Sequence, residues 1–190
     1  MPKDTADDDG RVMLTFLLGG ARSGKSTLAV QMADRQELPV TYIATAEPFD
    51  DDLRARVERH RAERPPHWTT VECPVELPAA VNAAPHDEFL IIDCLTVWLA
   101  NLFVHLGDAD IAAIADRERA LVAALQARRG PTVVVSNEVG MGVHPDSPLG
   151  RVYRDELGRL NQLVADGAHT TLLLVAGKAL RLDDPWEFLP

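Results

Sequence analysis

The sequence predicts an α/β fold: a three-layer sandwich whose mostly parallel central sheet carries helices on both faces. Three observations lead there. Short apolar runs rich in β-branched residues recur at residues 12–18, 40–44, 69–73, 89–93, 132–136 and 170–176. Helix-length segments separate these runs, and strand–helix alternation favours a parallel sheet. Most runs are continuous instead of alternating, as expected for strands buried on both faces. The chain of 190 residues, 46% of them hydrophobic, has length for one well-packed domain and is short for two. That domain is placed at residues 12–190, behind an acidic, flexible tail at 1–11.

The first run leads into Gly19-Gly20-Ala21-Arg22-Ser23-Gly24-Lys25-Ser26-Thr27, and a helix-compatible segment follows from Lys25 to Arg35. A G-x-x-x-x-G-K-S pattern between strand and helix does one physical job. Glycines let the backbone curl until successive N–H groups converge on phosphate oxygens, and the helix N-terminus adds partial positive charge. Lys25 then reaches the β- and γ-phosphates, and the Ser26 hydroxyl meets Mg²⁺. With this loop on its first strand, the sandwich is of the P-loop NTPase type, RecA-like.

Ligands of such sheets collect at the carboxyl ends of strands, so the residues after each run matter most. The second run is followed by Thr45-Ala46-Glu47-Pro48 and a charged segment at 51–64. There Leu53, Val57 and His60 fall on one face of a helix, and Arg54, Arg56, Arg59, Arg61 and Arg64 crowd the same stretch. Such a run is usually a solvated helix face, but beside a phosphate loop at least one arginine is expected on phosphate. The fourth run ends in Asp93. An acid ending a buried strand is costly unless a charge meets it, here Mg²⁺ or its water shell; the plainer alternative is a cap for the helix starting near Leu95.

Residues 95–103 are apolar nearly all round, which means deep core or a partner surface. Residues 110–129 read as an amphipathic helix with Ile111, Ile114, Leu121 and Leu125 as its buried stripe. After the fifth run, residues 136–145 form a glycine-punctuated binding loop by position, or else an ordinary turn. Residues 151–166 read as another amphipathic helix, and the chain closes with the sixth run and an acidic tail containing Trp186.

Composition limits function. A net charge of −10 disfavours broad binding to nucleic acid or anionic membrane. Cys73 and Cys94 are too few for a metal knuckle or disulfide framework, which points to a reduced, cytoplasmic setting. Residues 1–10 lack the basic start and apolar core of a secretory signal, and the longest apolar stretch, 95–106, is too short to span a bilayer.

Several segments match one family in order: the phosphate loop, Tyr42-Ile43-Ala44-Thr45, Arg56-Val57-Glu58-Arg59-His60-Arg61, Arg64-Pro65-Pro66-His67-Trp68, Ile92-Asp93-Cys94-Leu95-Thr96 and Asn137-Glu138-Val139-Gly140-Met141-Gly142. From about Met13 to Leu182 the chain resembles the bifunctional adenosylcobinamide kinase/adenosylcobinamide-phosphate guanylyltransferases of cobalamin biosynthesis. The resemblance implies that a nucleoside triphosphate, ATP or GTP, phosphorylates adenosylcobinamide. GTP then gives GMP to adenosylcobinamide phosphate through a covalent histidine, which matches His60. It also implies nucleotide contacts from Ala44, Thr45, Ala46, Arg61, Ala62, Glu63, Arg64, Glu72 and Asp93, and a homo-oligomer, a trimer in propeller-like members.

The residues alone leave other readings open. A lone histidine on the apolar side of a helix is more often structural, which would make the protein a simple small-molecule kinase. A RecA-like ATP-binding module driving a partner mechanically would want a basic surface, against the charge found here.

Overall fold

The computed structural model describes residues 13–47, 61, 64–107 and 110–189. The acidic tail and most of the arginine-rich segment, His60, Ala62 and Glu63 included, lie outside these residues. In chain order the elements are β1 (Leu14–Gly19), α1 (Lys25–Asp34), β2 (Val40–Ala44), β3 (Thr69–Glu72), α2 (Leu77–Ala83), β4 (Phe89–Asp93), α3 (Leu95–Leu106), α4 (Ile111–Ala127), β5 (Thr132–Val135), α5 (Pro148–Gly167), β6 (Thr170–Val175) and β7 (Lys178–Leu182). A short 3₁₀ turn, Pro185–Phe188, follows β7.

The seven strands form one sheet in the order β3-β2-β4-β5-β1-β6-β7. All neighbours run parallel except β6 and β7. Alternate side chains divide between two cores. Phe16, Ile43, Leu90, Ile92 and Val134 pack with α2, α3, α4 and α5 on one face. Leu17, Tyr42, Ile91, Val133 and Val135 pack with Ala29 and Ala33 of α1 on the other. The expected three-layer α/β sandwich with a mostly parallel sheet is what forms.

β1, β2 and β5 are buried throughout, and β4 is buried up to Asp93, as their continuous apolar runs require. The run at 69–73 becomes β3, an edge strand exposed at both ends, because among the described residues β2 alone flanks it. The sequence reading contains neither α2 nor β7. β7 forms because Ala176 (φ 50°) and Gly177 (φ 72°) make a two-residue hairpin turn, with Val175 opposite Lys178. The deep-core alternative describes α3: Leu95, Trp98, Leu99, Leu102 and Phe103 are all buried, while Val104 points outward. α5 starts earlier than expected. Ser147 caps it by accepting from the Gly150 amide at 3.0 Å, and Pro148 occupies its first turn.

Candidate active site

The carboxyl edge of the sheet collects most of the expected residues. β1 ends at Gly19, whose φ is +148° and where a Cβ would stand 2.3 Å from the Leu174 carbonyl of β6. Only glycine lets the loop lie this close to the sheet. Gly24, at φ +101°, turns the chain into α1, and Ser26 stands in that helix's first turn. The β6–β7 turn braces the loop from outside, the Gly177 amide donating to the Ser23 carbonyl at 3.0 Å. Gly20, Ala21 and Arg22 are exposed along its crest.

Lys25 reaches back across this loop. Its Nζ donates to the Gly19 carbonyl at 2.9 Å and the Gly20 carbonyl at 2.7 Å, with Ser23 Oγ 3.4 Å away. Burial lowers its pKa from the ordinary lysine value, opposed by the nearby Cys94 and Asp93. Phosphate oxygens arriving in the loop would compete with these carbonyls for the ammonium, on better electrostatic terms.

Asp93 ends β4 between Ala44 of β2 and Val135 of β5. It does not cap α3: Cys94 occupies the cap position, and its own side chain makes no capping bond. Instead Asp93 Oδ2 accepts from the Tyr42 hydroxyl at 2.5 Å. Tyr42 is buried, and burial first, then the Asp93 carboxylate, drive its pKa far above the usual phenol range. It therefore stays a proton donor that fixes the carboxylate. The Arg64 guanidinium lies 3.7 Å over the Tyr42 ring, and its buried Nε has no hydrogen-bond partner among the described residues.

The remaining expected contacts divide by position. Arg61 and Glu72 face each other at 3.2 Å, both well exposed. Ala44 is buried in β2 and its carbonyl accepts from the Cys73 amide; Ala46 lies partly buried just beyond. Thr45 is fully buried and spends its polar groups inside the protein. Its hydroxyl accepts from the Cys94 amide and donates to the Cys94 carbonyl, both at 2.8 Å; its own amide bonds the Asp93 carbonyl, and Asn101 Nδ2 donates to its carbonyl. Thr45 thus positions the ends of β2 and β4. Burial, then Asp93, push the Cys94 thiol up to about 11, so it is neutral near pH 7 and no ready nucleophile.

Four residues absent from the expected site help build it: Tyr42 and Asn101, and also Thr96 and Asn161, which respectively accept from the Asn137 amide and donate to the Asn137 carbonyl. Asn101 carried a signal, as a polar residue in a largely apolar helix. Among the described residues no three His, Cys, Asp or Glu side chains gather to hold a metal, and no helix is long and apolar enough to cross a membrane. Ser26 and Asp93 offer hard oxygen donors beside the phosphate loop, the chemistry that suits Mg²⁺ shared with a nucleotide.

A glycine-rich phosphate loop on β1, an acid ending β4 and one strand between them define a nucleotide-utilising P-loop protein. A solved type III secretion ATPase from pathogenic bacteria has the same fold, with a TM-score of 0.50, 12% identity, and coverage of 87% of this chain and 51% of that one. The family model described as cobinamide kinase / cobinamide phosphate guanyltransferase matches residues 15–182, and the chain belongs to that family. The bifunctional adenosylcobalamin biosynthesis protein CobP of Pseudomonas aeruginosa is 42% identical over 90% of this chain and 97% of its own length. CobU of Salmonella typhimurium, described by the same words, is 38% identical over 90% and 99%.

Proposed function

We propose that the chain performs both reactions for which its family is described. It transfers a phosphoryl group from ATP or GTP to the hydroxyl of adenosylcobinamide. It then transfers GMP from GTP to adenosylcobinamide phosphate, releasing pyrophosphate and giving adenosylcobinamide-GDP. The observation that carries this reading is the phosphate loop with Lys25 drawn across it and the Tyr42–Asp93–Arg64 cluster two strands away.

In the first step, amides of residues 19–24 hold the phosphates, and Lys25 exchanges its carbonyl partners for β- and γ-phosphate oxygens. In the second, a neutral His60 nitrogen attacks the α-phosphorus of GTP and the bond to pyrophosphate breaks. A phosphate oxygen of the acceptor then displaces the histidine. Ser26 and Asp93 would hold Mg²⁺, which when bound neutralises phosphate charge. Arg61, Arg64, Glu72 and the stretch 44–46, together with Ala62 and Glu63, line the nucleotide in this proposal, Thr45 through the backbone it fixes. The working unit is residues 12–190 as one catalytic domain, in a cytoplasmic homo-oligomer, a trimer.

The test uses GTP labelled at the α-phosphate. Label is expected to stay on denatured wild-type protein, resist alkali and leave in mild acid, as a phosphoramidate does. His60→Ala is expected to carry none, to stop at adenosylcobinamide phosphate and to make no adenosylcobinamide-GDP. Normal production of adenosylcobinamide-GDP by that variant would refute the covalent route.

A further inference from the structure

We infer that Glu138 is the general base of the phosphoryl-transfer step, taking the proton from the acceptor hydroxyl; this rests on the kinase reading above. β5 pairs with β1 on one side and β4 on the other, and neighbouring strands lie about 4.8 Å apart, so its carboxyl end opens midway between the phosphate loop and Asp93. Glu138 stands just past that end, its amide donating to the Gly19 carbonyl at 3.1 Å.

This segment is firmly held. The Ser136 amide donates to Leu17 at 2.9 Å, and the Asn137 amide to Thr96 Oγ1 of α3 at 2.7 Å. Asn161, a buried residue of α5, donates to the Asn137 carbonyl at 3.1 Å. The side chain is restrained as well, since Glu138 Oε1 accepts from the Gly140 amide at 2.5 Å. A surface turn needs no such anchorage from two helices and the phosphate loop, whereas a reacting group must be fixed to a fraction of an ångström.

At this edge Asp93 is engaged by Tyr42, Glu47 faces His105 at 3.0 Å and Glu72 faces Arg61 at 3.2 Å. Among the described residues Glu138 has no cationic partner, leaving Oε2 to accept a proton.

The step balances. The acceptor oxygen forms its bond to the γ-phosphorus as the bond to the β-phosphate oxygen breaks, and that electron pair leaves with the nucleoside diphosphate. The hydroxyl proton goes to Glu138 Oε2 and passes to water on product release. In GMP transfer the attacking groups, a neutral imidazole and a phosphate oxygen, have no hydroxyl proton to surrender. Glu138 therefore serves one of the two reactions.

Glu138→Gln and Glu138→Asp are compared with wild type in separate assays. For Glu138→Gln the kinase kcat is expected to fall on the order of 10²-fold, with the KM for nucleotide within about 3-fold and the acid limb of the pH profile lost. GMP loading from labelled GTP, and guanylylation of supplied adenosylcobinamide phosphate, should stay near wild type, which also shows that the variant is folded. Glu138→Asp should recover part of the kinase rate. Kinase turnover in Glu138→Gln within about 3-fold of wild type overturns the inference, as does a parallel loss of both activities with nucleotide affinity. A wild-type protein that makes no adenosylcobinamide phosphate overturns the kinase reading and this inference with it.

Discussion

Glu118 offers a test that reads packing through protons. It sits on the inner stripe of α4, 2% exposed, and its Oε1 has no hydrogen-bond partner among the described residues. Across the helix interface lies buried Glu156 of α5, itself bonded to Arg159. Burial first, then the Glu156 charge, raise the Glu118 carboxyl from 4.5 to about 7, against weaker pulls from Arg159 and Arg119. The native state thus holds this proton more tightly than the unfolded chain. Its contribution favours folding below the unfolded value, weakens as pH rises between 4.5 and about 7, and has gone above that. At about 1.4 kcal/mol for each pH unit between the two values, the loss comes to about 3.5 kcal/mol as an upper figure.

Glu118→Gln keeps the shape and removes the charge. At about pH 8 it should raise stability by 1–3 kcal/mol, or roughly 3–9 °C in Tm for a chain of this size, and at about pH 5 by almost nothing. Thermal melts of both proteins across that range make the comparison. Equal displacement of Tm at both ends, or a wild-type melt no weaker at the alkaline end than Glu118→Gln, would refute the reasoning.

Other perturbations probe the site. Gly19→Ala drives a Cβ to 2.3 Å from the Leu174 carbonyl; it should cost about 2 kcal/mol or more and weaken nucleotide binding at least about 10-fold by calorimetry. Lys25→Ala should lower both activities about 10²-fold or more while the melt holds, because the removed cation was partly desolvated. Tyr42→Phe keeps the surface under Arg64 but removes the donor to Asp93. It should raise the Mg²⁺ needed for half-maximal rate several-fold, about 1 kcal/mol, and an unchanged Mg²⁺ titration would count against that bond.

The parts visible in the sequence are those whose physics is local. The phosphate loop is one contiguous segment whose glycines and lysine must stand at fixed spacing. β4 and β5 declare themselves because both faces are buried. β7 does not, because an exposed edge strand needs no apolar run, and Lys178 and Arg181 break any pattern there. α2 is too short, at seven residues, for a helical period to accumulate. Glu118 escaped because a stripe drawn through Ile114, Leu121 and Leu125 passes over a charged residue in the same line. At the site, Tyr42 meets Asp93 across two paired strands, and Asn161 meets Asn137 from a helix further along the chain. Such pairings depend on strand order, which no periodicity encodes.

The Thr45 latch has a thermodynamic consequence. Because one buried hydroxyl both accepts from and donates to the Cys94 backbone, the segments leaving β2 and β4 are tied into a single rail before any nucleotide arrives. Ordering two free segments would tax binding by about 1–2 kcal/mol of backbone entropy per residue, and here folding has already met that cost. Nucleotide association along this rail should therefore show little ordering entropy and little change in amide exchange at residues 45 and 94, so that any slowing of exchange on binding concentrates elsewhere at the sheet edge.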